Sequence, residues 1–304
     1  MSWIALALIG PVLWSIGNHI DKFLIEKYFK TKGTGTLLIF SSLIGVIVAP
    51  IFFLIKPEVL DISLVNVGIL LGCGMLEVIV LWLYFKALDD EEVSVVVPFL
   101  QLIPVFAYAL GYFILGEVLT STQVLAMVLI IFGASILSIE IDEENKFKLR
   151  TKTVFFMMLS ALLSAFDSVI FKFVILEEDF WVSTFWSYIG LALFGIMLFV
   201  FFRKYREGFL EAWRSNSKKI IGLNLLNETL TVIGNVTFTL AYLAAPVALV
   251  LLFNSYQPVF VFIIGILLTI FLPKIATEKI KLKHILQKVL VIGVMLVGTY
   301  LLFA

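Results

Sequence analysis

The chain has 304 residues, 62% of them hydrophobic and 14% charged, with 29 phenylalanines and a mean hydropathy of +1.10. Lys+Arg and Asp+Glu balance at 22 each, which provides neither the basic stripe of a nucleic-acid binder nor an acidic tail. This is more apolar than a soluble core of that size requires, and the single cysteine, Cys73, excludes an intramolecular disulfide and a Cys-based metal cluster.

Runs of about 20 apolar residues span about 30 Å of hydrocarbon at about 1.5 Å per residue, and ten such runs can be marked. The first, 2 to 25, lacks the basic start of a secretory signal and continues through Trp14, so it is expected to remain as a span. Spans 35 to 55, 64 to 87, 93 to 115 and 120 to 140 complete a group of five. The run IDEENKFKLRTK, Ile141 to Lys152, is the one strongly polar stretch near the centre. Beyond it lie 152 to 175, 182 to 202, 219 to 243, 246 to 271 and 285 to 303. The expectation is an all-α integral membrane protein of ten transmembrane helices in two five-helix units, 1–145 and 146–304.

The units share residues. Displaced by 154 positions, Ala87 meets Ala241, Phe99 meets Phe253, Pro104-Val105-Phe106 meets Pro258-Val259-Phe260 and Gly111 meets Gly265. Five is odd, so the second unit begins on the opposite side of the membrane and the repeats are expected to be inverted. Charge placement agrees. The loop after span 1 carries Lys27, Lys30 and Lys32, whereas Leu176 to Trp181 after span 6 has no Lys or Arg. The loop after span 2 has only Lys56, but its counterpart carries Arg203, Lys204, Arg206, Arg214, Lys218 and Lys219. Lys274, Lys279, Lys281 and Lys283 follow span 9. The crowded face is expected to be cytoplasmic, which puts both chain ends outside.

Polar residues at membrane depth are costly, so their positions point to a pathway. In span 8, Asn224, Asn227, Glu228, Thr231, Asn235 and Thr239 recur at three- and four-residue spacing as one stripe. Such a stripe faces a cavity, or else forms an interhelical hydrogen-bond seam. Glu77 in span 3 aligns with Thr231, one turn beyond Glu228. Both carboxylates are candidate proton sites, the alternative for Glu77 being a permanently protonated group bonded to a neighbour.

Span 1 carries Trp14, Asn18, His19, Asp21 and Lys22, and span 6 carries Asp167 and, 150 residues from Lys22, Lys172. Either lysine can snorkel to the headgroups, neutralise an anionic substrate group or pair with Asp21 or Asp167. His19 reads as packed or interfacial, and His284 as solvated in a basic loop. Pro104 and Pro258 are expected to bend spans 4 and 9, next to Gln101 and to Asn254, Tyr256 and Gln257. Tyr84, Trp82 and Trp186 are either an aromatic wall or interfacial anchors.

The segment Pro98 to Leu137 contains Pro104-Val105-Phe106, Leu115-Gly116-Glu117, Gln123 and Gly133. In this pattern it resembles the signature half of the EamA branch of the drug/metabolite transporter superfamily. The second half keeps Pro258-Val259-Phe260 and a closing Gly293, but Thr269-Ile270-Phe271 stands where Leu-Gly-Glu is expected. The resemblance implies the fold and says little of the substrate. No ATP-binding loop, His-Glu-x-x-His or Gly-x-Ser-x-Gly occurs.

The resulting expectation is a secondary carrier that exports a small organic metabolite across the cytoplasmic membrane by alternating access. Its cavity is expected between spans 1, 3, 4, 6, 8 and 9, with proton coupling an option and no cofactor or metal. Its partners are the solute, the lipid bilayer and, where coupled, protons, and the chain is expected as a monomer or weak homodimer that binds no nucleic acid. The alternatives are a flippase for a lipid or lipid-linked sugar, or an intramembrane enzyme using Glu77 and Glu228 as an acid/base pair.

Overall fold

The computed structural model describes residues 2–24, 34–88, 97–138, 151–215, 217–271 and 282–302. Among them the secondary structure is entirely helical. The α-helices are α1 (Trp3–Leu24), α2 (Thr34–Ile55), α3 (Leu64–Leu88), α4 (Ile103–Leu115), α5 (Ser121–Ser138), α6 (Thr151–Glu177), α7 (Phe180–Phe201), α8 (Arg203–Ser215), α9 (Ser217–Ala241), α10 (Val247–Phe253), α11 (Gln257–Phe271) and α12 (Leu282–Leu301). Most of the central polar run, and the basic residues Lys27, Lys30, Lys32, Lys274, Lys279 and Lys281, lie outside the described residues, as do the side chains of Lys22, Lys283 and His284.

Among the described residues six segments are long and apolar enough to cross a membrane: Trp3–Asp21, Gly35–Ile55, Leu64–Ala87, Thr151–Glu177, Phe180–Phe201 and Val247–Phe271. Phe99–Leu115, Ser121–Ile136 and Lys288–Leu301 are apolar but shorter. Helix α9 has the length, with 25 residues, but its polar stripe makes it the least apolar of the long helices. The outer surface suits lipid: Leu64, Phe113 and Leu54 are 88%, 82% and 78% exposed. A water-soluble protein rarely tolerates a continuous surface of this kind.

Helix α8 is different. The sequence reading treats 203–219 as a connection, because a search for apolar runs does not detect a short amphipathic helix. Its sequence RKYREGFLEAWRS turns Phe209 onto Phe40 of α2, ring centroids 4.5 Å apart, and leaves Arg203 exposed. This is the pattern of a helix lying in the interface plane.

Pro104 and Pro258 each sit in the first turn of a helix, α4 and α11, directly after a 3-10 segment, Val97–Leu102 and Asn254–Tyr256. First-turn N–H groups have no intrahelical acceptor, so a missing N–H costs little there. The chain changes direction before the ring rather than kinking at it.

Helices of the first five pack mainly on helices of the second five: α1 on α9 and α11, α2 on α7, α3 on α6 and α7, α4 on α6 and α10, and α5 on α12. Helices α3 and α7 come close because neither has a side chain at the crossing. A Cβ on Gly74 would collide with the Ser187 carbonyl, and one on Gly190 with the Leu71 carbonyl. Helices α2 and α9, by contrast, meet at only a few positions.

Candidate functional site

The space left between α2 and α9 is a cavity of about 170 Å³, walled by α1, α2, α3, α7 and α9. Four residues of the α9 stripe, Asn227, Glu228, Thr231 and Asn235, line it at helical spacing, and Glu77 faces them from α3. Asp21, near the end of α1, accepts a hydrogen bond from Asn227 Nδ2 at 2.7 Å. Glu228 Oε1 accepts one from the Ser41 hydroxyl of α2, also at 2.7 Å. Among the described residues no hydrogen bond or ion pair is formed by Glu77. Tyr188 of α7 completes the polar lining, its buried hydroxyl within hydrogen-bonding reach of Asn235. Ile44, Leu81, Phe85, Leu191 and Val232 supply apolar wall.

Behind Glu77, the Cys73 thiol lies within hydrogen-bonding reach of the Asp167 carboxylate of α6. Asp167 is thus adjacent to the cavity without lining it. The remaining sequence candidates are placed elsewhere. Trp14 packs on Phe238, ring centroids 5.1 Å apart, in the α1–α9 contact. Asn18 is exposed, Asn224 is buried outside the cavity, and Gln101 is buried in the 3-10 segment before α4. Tyr84 packs beside Ala87 and Met157. Asn254, in the 3-10 segment before α11, is half-buried with its Oδ1 enclosed. The Tyr256 hydroxyl ties that segment to α12 by donating to the Met295 carbonyl at 2.9 Å, with the Thr299 hydroxyl alongside. The Gln257 carbonyl accepts from the Ser15 hydroxyl at 3.1 Å. His19 is buried and donates through Nε2 to the Val261 carbonyl at 3.1 Å, the packed arrangement.

Sequence reasoning missed Ser41, Ser42 and Tyr188 and assigned Asp21 no more than a pairing with lysine. The available signal in α2 was Ser41-Ser42, the only polar residues in the middle of that span.

The opposite end of the bundle is closed. Gly116, at φ +66°, ends α4 in the left-handed conformation that favours glycine, and the Glu117 N–H then donates back to the Gly111 carbonyl at 3.1 Å. That turn aims Glu117 at α6 and α10. Its Oε1 accepts from Lys172 Nζ at 2.5 Å, and its Oε2 accepts from the first N–H of α10, Val247, at 2.8 Å. Lys172 also donates to the Ala245 carbonyl at 2.5 Å. Lys172 therefore does not snorkel to the headgroups. It is buried because its counter-charge sits inside, at the carboxylate of the Leu-Gly-Glu motif. At the same end Lys56 pairs with Asp179 at 2.8 Å, Asn66 Nδ2 donates to Glu178 at 2.7 Å, and Trp186 Nε1 donates to the Val59 carbonyl at 2.8 Å. Trp186 is thereby an anchor of this end rather than a cavity wall.

Among the described residues no group of three or more His, Cys, Asp or Glu side chains is arranged to hold a metal ion. Residues 1–139 match the EamA-like transporter family. This part of the chain is EamA-like. The family implies a membrane transporter of the drug/metabolite type, and with the apolar helices it indicates a multi-pass membrane protein. No curated protein matches the chain by sequence. Among solved structures, one crystal structure aligns over 98% of this chain and 95% of its own at a TM-score of 0.64 and 14% identity, a likeness of fold alone.

Proposed function

We propose that the chain is a secondary transporter that exports a small organic metabolite across the cytoplasmic membrane by alternating access. The observation that carries this reading is a cavity at membrane depth, lined by three carboxylates and walled by helices of both halves, with a buried ion pair at the opposite end of the bundle. Units 1–145 and 146–304 act as inverted repeats. This is supported by pairings that are exchanged when the halves are swapped: α1 with α9 matches α3 with α6, and α1 with α11 matches α4 with α6. Helices α2 with α7, and α5 with α12, are self-matched.

The cavity reaches from mid-membrane towards the end where α1 and α3 finish and α2 and α9 begin. That is the end rich in lysine and arginine, cytoplasmic by the positive-inside rule. Cargo therefore loads from the cytoplasm, and rocking of the halves breaks the Glu117–Lys172 seal to release it outside. Glu77 and Glu228 are the groups placed to exchange protons with the cargo, as ionisable residues facing an intramembrane cavity.

The test is flux in proteoliposomes with a metabolite panel under an imposed pH gradient. Saturable movement lost in Glu228→Gln, with folding retained, is expected. Unchanged flux in both Glu228→Gln and Glu77→Gln would remove the proton sites, and chemical turnover without translocation would favour an enzyme.

A further inference from the structure

We propose that the cavity takes a small organic cation, a primary alkylamine in its ammonium form. The inference deepens the carrier reading and rests on it only for the role of the cavity. Of the fourteen lining residues among those described, three are carboxylates, Asp21, Glu77 and Glu228, and none is Lys, Arg or His. Lys86 lies one residue beyond Phe85 but does not line the space, and Asp167 behind Glu77 adds a further acid rather than a base. Among the described lining residues an anionic solute finds no counter-charge, whereas an ammonium group supplies one to the acids.

Hydrogen-bond capacity points the same way. An ionised carboxylate offers about four acceptor positions. The hydrogen bonds from the wall are one to Asp21, from Asn227, and one to Glu228, from Ser41. The Tyr188 side chain, 8% exposed, holds its buried hydroxyl within hydrogen-bonding reach of Asn235. Asn227 is oriented by its donation to Asp21, so its Oδ1 is an acceptor, and that atom is buried without a donor. Buried polar atoms are normally satisfied. The carboxylates of this wall keep acceptor positions open, and an ammonium group brings three donors and no acceptor.

Shape sets the rest of the ligand. A cavity of about 170 Å³ is below the range of drug-sized sites, about 300–1,000 Å³. Leu81, Phe85 and Leu191 offer a short alkyl chain an apolar wall, and the rings of Phe85 and Tyr188 can face the cation.

The experiment uses three probes of one shape and different charge: butylammonium chloride, butan-1-ol and sodium butyrate. Each is titrated calorimetrically into the purified full chain. Butylammonium is expected to bind at least tenfold more tightly than butan-1-ol, with no butyrate binding. Glu77→Gln and Glu228→Gln should each weaken it about tenfold, and Tyr188→Phe by a few-fold. Butyrate or butan-1-ol binding as tightly as butylammonium, or no binding by any probe, would overturn the proposal without relying on any variant. So would unchanged butylammonium affinity in both glutamine variants. Flux of the same probes in liposomes separates the two readings. Butylammonium that binds but does not cross removes the carrier and keeps the site, whereas movement of butyrate alone keeps the carrier and removes the cation site.

Discussion

At the Lys56–Asp179 end of the bundle, acidic groups find partners across the two halves. Glu117 has Lys172 and a helix N-terminus, Asp179 has Lys56, and Glu178 has Asn66. In the cavity, Asp21, Glu77 and Glu228 face one another with a single amide and a single hydroxyl donating to them. Completed pairs hold a structure shut, and incomplete ones leave capacity for something that arrives. Polar residues at the first end should therefore govern stability, and those in the cavity should govern flux.

The sharpest test is Glu228→Gln. Transport should fall by at least about 100-fold, comparable to losing a charged contact worth about 3 kcal/mol, while the melting temperature in detergent barely moves. A large loss of stability instead would mean that the cavity acids are structural.

Glu117→Gln should do the reverse. It leaves the Lys172 ammonium buried without its counter-charge, at a cost of about 3–5 kcal/mol. Thermal unfolding should show the loss, and the double change Glu117→Gln with Lys172→Met should recover most of it.

A smaller effect separates two glycines on one helix. Gly74→Ala forces a methyl into the α7 backbone at Ser187 and should cost about 1–3 kcal/mol. Gly72→Ala, which meets open space, should stabilise α3 by about 0.5–1 kcal/mol. Equal melting temperatures for the two variants would contradict the close α3–α7 crossing.

The smallest concerns Asp179. Partial desolvation works against its charge, but the Lys56 ammonium and the Trp181 and Val182 N–H groups outweigh it and hold the carboxyl below its ordinary value of 3.8. The stabilisation is therefore fully present above that ordinary value and is lost as pH falls through the lowered folded one. Because both side chains are partly exposed, Lys56→Met should cost under about 1 kcal/mol at neutral pH. The difference from the parent chain should shrink in acid.

Apolar length made the long helices legible, and a polar stripe at helical spacing singled out α9, because both are properties of one segment. Glu77 was legible for the same reason, as a carboxylate inside an apolar run. Asp21, Ser41 and Tyr188 join the cavity only because α2 stands away from α9 while α3 presses against α7, a tertiary arrangement that no single segment records. The sequence leaves Lys172 snorkelling, neutralising a substrate anion or pairing with Asp21 or Asp167, and misses Glu117 because it is 55 residues distant. Helix α8 was missed because its apolar side is too narrow to register as a run. The prolines were read as kinks, yet each starts a helix after a 3-10 turn.

Glu117 has one more consequence. At the position 154 residues on stands Phe271, 74% exposed and facing outward, so among the described residues the carboxylate of this closure has no counterpart there. Under the inverted-repeat reading, the two access states then differ in energy even when the protein is empty. The state sealed at Lys172 is the more populated one at rest, and cargo must bind the opposite state more tightly to shift that balance. On that reading, the difference between the halves gives the proposed carrier a preferred idle position.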